Sequence, residues 1–192
     1  MKKVNLAMLI ALFFVAGAVS AQVSFGIKGG VNLASIYGEG STGAKMKPGF
    51  HVGVTGEVGF MPLISVKSGL MFVNKGYNGP KGSEYTAGLS YLQVPVHIAY
   101  KMPLLPAVKL QLYGGPYAAF GITGNIKSDG EKVASFSKEG GAKRFDMGLG
   151  AGADVIFGKI TAGIGIDFGL TPLSEDTSMK NNNFLLSVGY LF

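Results

Sequence analysis

The segment Gly148-Leu-Gly-Ala-Gly-Ala153 fits the G-x-G-x-x-[G/A] pattern that brings backbone N–H groups to a dinucleotide pyrophosphate. Asp167 stands near the distance at which a carboxylate would hold the ribose. That chemistry needs the glycine turn to open a helix. Here apolar residues go on alternating through Val155 and Phe157, so the glycines read as the small face of a strand. His51 and His97 are the two histidines, and the pair raises metal binding or proton transfer. They fall on different alternating segments, His51 near the external end and His97 lower. A tilted strand climbs roughly 2.5 Å per residue, which sets them on the order of 15 Å apart in height. A shared metal is therefore not expected. Ser35, Ser41, Ser83, Ser90, Asp129, Ser174 and Asp176 supply hydroxyls and carboxylates in the connections, without the arrangement of a triad. Asp129-Gly130-Glu131 and Ser174-Glu175-Asp176 lack the spacing of a calcium loop and read as solvated turns. No catalytic residue, cofactor or metal is expected, and the chain is not read as an enzyme.

The elements that carry these residues are strands. Eight segments alternate with period 2: 23–37, 49–60, 64–75, 89–101, 108–122, 144–157, 159–170 and 184–192. In the second, Phe50, Val52, Val54, Val58 and Phe60 oppose His51, Gly53, Thr55, Glu57 and Gly59. Charge sorts with this alternation. Lys28, Glu57, Lys67, Lys75, Lys101, Lys109, Arg144, Asp146, Asp154, Lys159 and Asp167 all lie on the polar parity, as do both histidines.

A soluble sandwich also alternates, with its apolar face inside. Three features favour a membrane instead. The polar parity is rich in Gly, Ser, Thr and Tyr rather than in solvating charge. The segments exceed the usual soluble strand of about 5–6 residues and match the roughly 9–11 needed to span a bilayer. The apolar parity continues through all eight segments, as a lipid-facing band requires.

The last segment is the clearest. Phe184, Leu186, Val188, Tyr190 and Phe192 share one parity and end on an aromatic residue. An open edge of this kind would template aggregation, and a closed barrel removes it by pairing the last strand with the first. The connections alternate short (61–63, 102–107, 158–159) and long (38–48, 76–88, 123–143, 171–183). Short periplasmic turns and longer external loops have this pattern. The two-residue turn Gly158-Lys159 would pair Phe157 with Ile160. The turn at 61–63 would place Glu57 opposite Lys67, facing inward near the periplasmic end.

Composition agrees. Glycine accounts for 31 of 192 residues and charged residues for 15%, too apolar for disorder and too rich in glycine for a helical bundle. There is no cysteine for a disulfide, a thiolate metal site or lipid attachment. Residues 1–21 read as a cleavable secretory leader: Lys2 and Lys3, an apolar run over 6–15, then Val19-Ser20-Ala21 before the cut. The barrel domain is 22–192. Loss of Lys2 and Lys3 lowers the formal charge from +6 to +4, with no basic stripe of the kind that binds nucleic acid. The fold expected is all-β, an eight-stranded antiparallel up-and-down transmembrane β-barrel.

Side chains roughly fill the interior of such a barrel. Charges there must be paired or wetted. The expected lumen network is Lys28, His51, Glu57, Lys67, His97, Lys101, Lys109, Arg144, Asp146, Asp154 and Asp167. The bland reading is a satisfied polar plug; the sharper one is a conductive path through Lys28, Lys67 and Arg144, or a ligand site.

Several stretches resemble the PorT-like outer-membrane β-barrels, small barrels of Gram-negative outer membranes often labelled "porin family". They are Phe25-Gly-Ile-Lys-Gly-Gly-Val-Asn-Leu-Ala34, Pro48-Gly-Phe-His-Val-Gly53, Ser68-Gly-Leu-Met-Phe-Val-Asn-Lys-Gly76, Tyr91-Leu-Gln-Val-Pro-Val96, Tyr113-Gly-Gly-Pro-Tyr117, Arg144-Phe-Asp-Met-Gly148 and the terminal strand. The resemblance spans nearly all of the chain after the leader. It implies an eight-stranded outer-membrane barrel and supplies no catalytic residue. It also implies that Phe184, Leu186, Val188, Tyr190 and Phe192 form the signal read by the barrel-assembly machinery.

The functional expectation is a monomeric barrel in outer-membrane lipid that anchors its loops for structure or binding. Tyr77, Tyr85 and Phe136 are the loop aromatics available for surface contact. A narrow diffusion pore, or an accessory part of a secretion machine with a protein partner, are the alternatives. Nucleic acid is not an expected partner.

Overall fold

The computed structural model describes residues 22–192 other than 81, 129 and 176. The leader expected at 1–21, Asp129 and Asp176 lie outside the described residues. The strands are β1 (Gln22–Tyr37), β2 (Lys45–Gly59), β3 (Ile64–Asn78), β4 (Thr86–Leu105), β5 (Val108–Ser128), β6 (Glu131–Ala134), β7 (Phe145–Phe157), β8 (Ile160–Gly169) and β9 (Lys180–Leu191). No helix among the described residues is long and apolar enough to cross a membrane.

Eight of these strands close a barrel in the order β1-β2-β3-β4-β5-β7-β8-β9, each antiparallel to the next. Closure runs from Gly26 opposite Leu191 to Tyr37 opposite Lys180. The Phe192 N–H donates to the Phe25 carbonyl at 2.9 Å, so pairing reaches the last residue. Two expected registers are present, Phe157 opposite Ile160 and Glu57 opposite Lys67. Gly158 takes φ +58 in the turn between β7 and β8, a conformation that favours glycine.

The barrel is inverted relative to a soluble protein. Phe25, Ile98, Ile164 and Val188 are among the large apolar residues that face out. In the terminal strand Phe184, Leu186, Val188, Tyr190 and Phe192 are all exposed, Phe192 at 70%. A continuous apolar band of this extent has no place in water and fits lipid. The interior holds the buried Lys75, Asp146, Asp154, Asp167, Glu57 and both histidines.

The strands overrun the band on the external side. β4 and β5 have 20 and 21 residues. The connection expected at 123–143 is strand as far as Ser128, then folds back as β6, with Ser128 opposite Glu131. The backbone ladder continues where apolar alternation has stopped, because each added pair satisfies N–H and C=O groups.

Candidate functional site: the layered lumen

Each lumen side chain is placed by strand parity and by how far along its strand it stands. From the periplasmic end upward, the first layer centres on Glu57 of β2. Lys101 of β4 pairs with it at 2.6 Å. Ser65 donates to its Oε1 and Gln111 Nε2 to its Oε2. Lys67, the cross-strand neighbour of Glu57, does not pair with it. Its Nζ crosses the lumen to Asp154 Oδ2 of β7 at 2.5 Å and also donates to Gln111 Oε1 at 3.1 Å. Lys28 of β1 reaches Asp154 Oδ1 at 2.8 Å. Two ammonium groups thus share one carboxylate, and both lie over the Tyr113 ring. This triad forms a septum between two cavities whose walls both include Lys28, Thr55 and Lys67.

Above the septum lies the larger of the two cavities, with room of about 70 Å³. His51 Nε2 is 2.9 Å from Ser187 Oγ. His97 stacks on Tyr113 with ring centroids 5.3 Å apart. Gln93 Nε2 donates to Asp167 Oδ2 at 2.9 Å. Both histidines line this one cavity, although they sit on different strands. No group of three or more His, Asp or Glu among the described residues could hold a metal.

The third layer is Lys75 of β3 and Asp146 of β7, 3.1 Å apart, with Lys75 fully buried. Tyr117 and Tyr91 flank the ammonium at 4.4 and 5.4 Å from their ring centroids. Asn181 and Thr171 donate to the two oxygens of Asp146, each at 3.0 Å. A buried ion pair persists only when its remaining hydrogen-bonding capacity is met, and this one is surrounded.

The external mouth is apolar. Ile36, Leu89, Tyr91, Tyr117, Ala119 and Leu173 form a buried cluster, with Phe136 and Met179 packed against it. Phe136, on the segment between β6 and β7, turns inward. It meets Tyr91 edge-on at 5.7 Å. Its ring fills the place of a side chain at Gly121: a Cβ there would stand 2.3 Å from a ring carbon. Ser135 is fully buried beside it and donates to the Gly88 carbonyl at 2.9 Å.

Nine of the eleven residues expected in the lumen network occupy these layers: Lys28, His51, Glu57, Lys67, His97, Lys101, Asp146, Asp154 and Asp167. Two do not. Lys109 is exposed at the periplasmic rim, where its neighbours Pro103 and Leu105 also meet solvent. Arg144 precedes β7, donates to the Gly121 carbonyl at 2.9 Å and covers the Phe136 ring at 5.3 Å. It stands at the external mouth with Phe136, which acts there as a stopper, and not beside Lys28 and Lys67.

Lys75 shared the polar parity but stood outside the expected network, and its placement corrects that omission. Of the three loop aromatics read as surface contacts, Phe136 is turned inward. The Tyr77 and Tyr85 rings lie tilted against each other with centroids 5.6 Å apart. The dinucleotide-like segment lies within strand β7, as its alternation indicated. Ser41, Ser83 and Ser90 are used in turns and ladders and not around a base.

The fold has solved counterparts. Ail, the attachment invasion locus protein of Yersinia pestis, aligns over 89% of this chain and 99% of its own at 16% identity and TM-score 0.50. Neisserial surface protein A aligns over 89% and 99% at 12% identity and TM-score 0.55. OprG of Pseudomonas aeruginosa aligns over 88% and 95% at 14% identity and TM-score 0.51. At these identities the likeness concerns the fold alone. No curated protein sequence matches the chain. Residues 18–175 match the family model described as "Outer membrane protein beta-barrel domain". The chain belongs to that family, and is an outer-membrane β-barrel protein.

Proposed function

We propose that this protein is a sealed outer-membrane anchor: a barrel that presents its external connections for binding and does not pass solutes. The observation that carries this reading is the seat of Phe136 over Gly121, which puts an aromatic ring where the mouth of a pore would be. The ion-paired septum below adds a second barrier. A conducting path would have to break the contacts of Lys28 and Lys67 with Asp154 and give up their mutual attraction.

The remaining assignments belong to the same proposal. The barrel is a monomer in outer-membrane lipid, with no catalytic group. The exposed terminal row from Phe184 to Phe192 is what the assembly machinery reads. The PorT-like resemblance adds a secretion-system protein as one kind of partner for the external face. Nucleic acid is not a partner.

Liposome swelling tests the reading. Vesicles carrying the folded barrel should swell no faster in small sugars than empty vesicles. Swelling that scales with protein content would overturn the sealed-anchor reading and leave the diffusion pore.

A further inference from the structure

Above the apolar band the outward face of one sector turns polar, and the register fixes which residues share it. Phe72, Leu92 and Phe120 stand side by side on β3, β4 and β5, near the external limit of the band. Beyond them the same face carries Asn74 beside Ser90, Gly76 beside Gly88 and Asn78 beside Thr86. A bulge between Ser90 and Tyr91 shifts β5 by one residue, which brings Asn125 and Lys127 onto this face beside Gly88 and Thr86. The β5–β6 hairpin then sets Lys132 directly opposite Lys127. Two cross-strand hydrogen bonds agree with the shared face. Asn74 Nδ2 donates to Ser90 Oγ at 2.9 Å, and Thr86 Oγ1 to Asn78 Oδ1 at 3.1 Å.

Three lysines converge on this sector. Lys127 and Lys132 are exposed, and neither forms an ion pair among the described residues. Like charges directly opposite in a ladder repel, so an anion shared between them is stabilising. Lys47 arrives from β2. Its Nζ donates to Asn74 Oδ1 at 3.2 Å and lies 3.8 Å from the point where a side chain at Gly88 would begin, so the bare glycine leaves the ammonium its seat. Two of its three N–H groups remain for a ligand. Among the described residues of β3, β4, β5 and β6 the one carboxylate is Glu131, which stands opposite Ser128 on the other parity. The acids Glu39 and Glu175 line a recess between other connections.

Height says what kind of anion fits. At roughly 2.5 Å of climb per residue, Lys47 over Gly88 stands about 10 Å beyond Leu92, and Lys127 beside Thr86 about 15 Å. A phospholipid headgroup layer is only about 5–8 Å deep. A headgroup built of sugars reaches further, and its hydroxyls suit the amides and hydroxyls between the lysines. We propose that this sector binds the phosphorylated sugar headgroup of an outer-leaflet lipid. Its acyl chains lie against Phe72, Leu92 and Phe120, its sugars over Thr86 and Asn125, and its phosphate between Lys127 and Lys132 with Lys47 on the flank. The inference goes beyond the sealed-anchor reading and fails separately from it: an impermeable barrel can sit in lipid of any headgroup.

The test titrates the folded barrel, residues 22–192 in detergent, with four probes. They are rough lipopolysaccharide, whose core sugars carry phosphate; the same lipid dephosphorylated; its core saccharide freed of acyl chains; and phosphatidylglycerol. Native mass spectrometry reads the bound fraction, with a chelator present so that no divalent cation bridges. The intact lipopolysaccharide should bind about tenfold more tightly than each of the other three. Lys127→Gln combined with Lys132→Gln should remove most of that advantage, whereas Lys109→Gln at the periplasmic rim should leave it unchanged. No binding of the intact lipid overturns the proposal. Equal binding of phosphatidylglycerol overturns it in favour of any anionic lipid, of the dephosphorylated lipid in favour of sugar contacts alone, and of the free saccharide in favour of a soluble ligand. An unchanged affinity in the double variant, or an equal loss in Lys109→Gln, places the binding elsewhere and also overturns it. The four-probe comparison needs only the unaltered protein, so it decides even if a variant does not fold.

Discussion

The two ends of the lumen are filled by different physics. At the periplasmic end the barrier is charge: Glu57 with Lys101, and Asp154 shared by Lys28 and Lys67, all on barrel strands. At the external end it is apolar packing, with Phe136 and Leu173 brought in from the connections onto Tyr91, Tyr117 and Ile36. The middle pair Lys75–Asp146 joins them, since the rings that flank its ammonium belong to the stopper. Ionic closure by rigid strands fixes geometry, because removing one partner leaves a costly buried charge. Apolar closure by loops is graded and reversible, because each ring contributes separately. In the sealed-anchor reading proposed above, the lower end is therefore the rigid part and the upper end the part that can yield.

That contrast can be attacked in order of expected effect. Lys75→Met leaves Asp146 buried and uncompensated, and should lower unfolding free energy by about 3–5 kcal/mol. Urea titration of the folded barrel in vesicles measures it. Adding Asp146→Leu should recover most of the loss, because two apolar residues carry no unmet charge. If the double variant is as unstable as the single, the pair is not acting through charge burial.

Phe136→Ala should cost about 3 kcal/mol at most, since the site lies at a mouth that water can refill. Gly121→Leu should expel the same ring by occupying its seat, with a strain of about 1–3 kcal/mol. The two variants should share one phenotype, faster hydrogen exchange at residues 134–137. Arg144→Ala removes the cation over Phe136 and the hydrogen bond to the Gly121 carbonyl, each an effect of about 0.5–1.5 kcal/mol, seen in the same exchange experiment. Lys109→Ala touches neither closure and should leave stability and exchange unchanged. A large effect there would mean that the lower ionic layer extends to the rim.

The same contrast explains what was legible in the sequence. The strands and the inward set could be read because parity is enforced twice, by lipid outside and by crowding inside. Glu57 opposite Lys67 follows from turn length alone. Their ionic partners do not follow, because Lys67 crosses the barrel to a strand 87 residues away rather than pairing with its neighbour. Arg144 was assigned inward by parity, but it precedes β7, where parity no longer fixes direction. Phe136 had no periodic signal at all. Its inward turn depends on the β5–β6 hairpin that carries it and on the missing side chain at Gly121, two facts that meet only in three dimensions. The length of β4 and β5 was hidden for a related reason. Above the membrane the apolar alternation ends, while hydrogen-bonded pairing goes on.

The most direct test of the closed lumen is single-channel recording of the refolded barrel, residues 22–192, in a planar bilayer, beside Phe136→Ala and Phe136→Ala combined with Lys67→Met. The unaltered barrel should stay silent, and the single variant should stay nearly so because the septum still stands. The combined variant should show small steady openings. Reproducible openings in the unaltered barrel, lost or altered when Lys67 is neutralised, would contradict the account and make transport the function of the lumen.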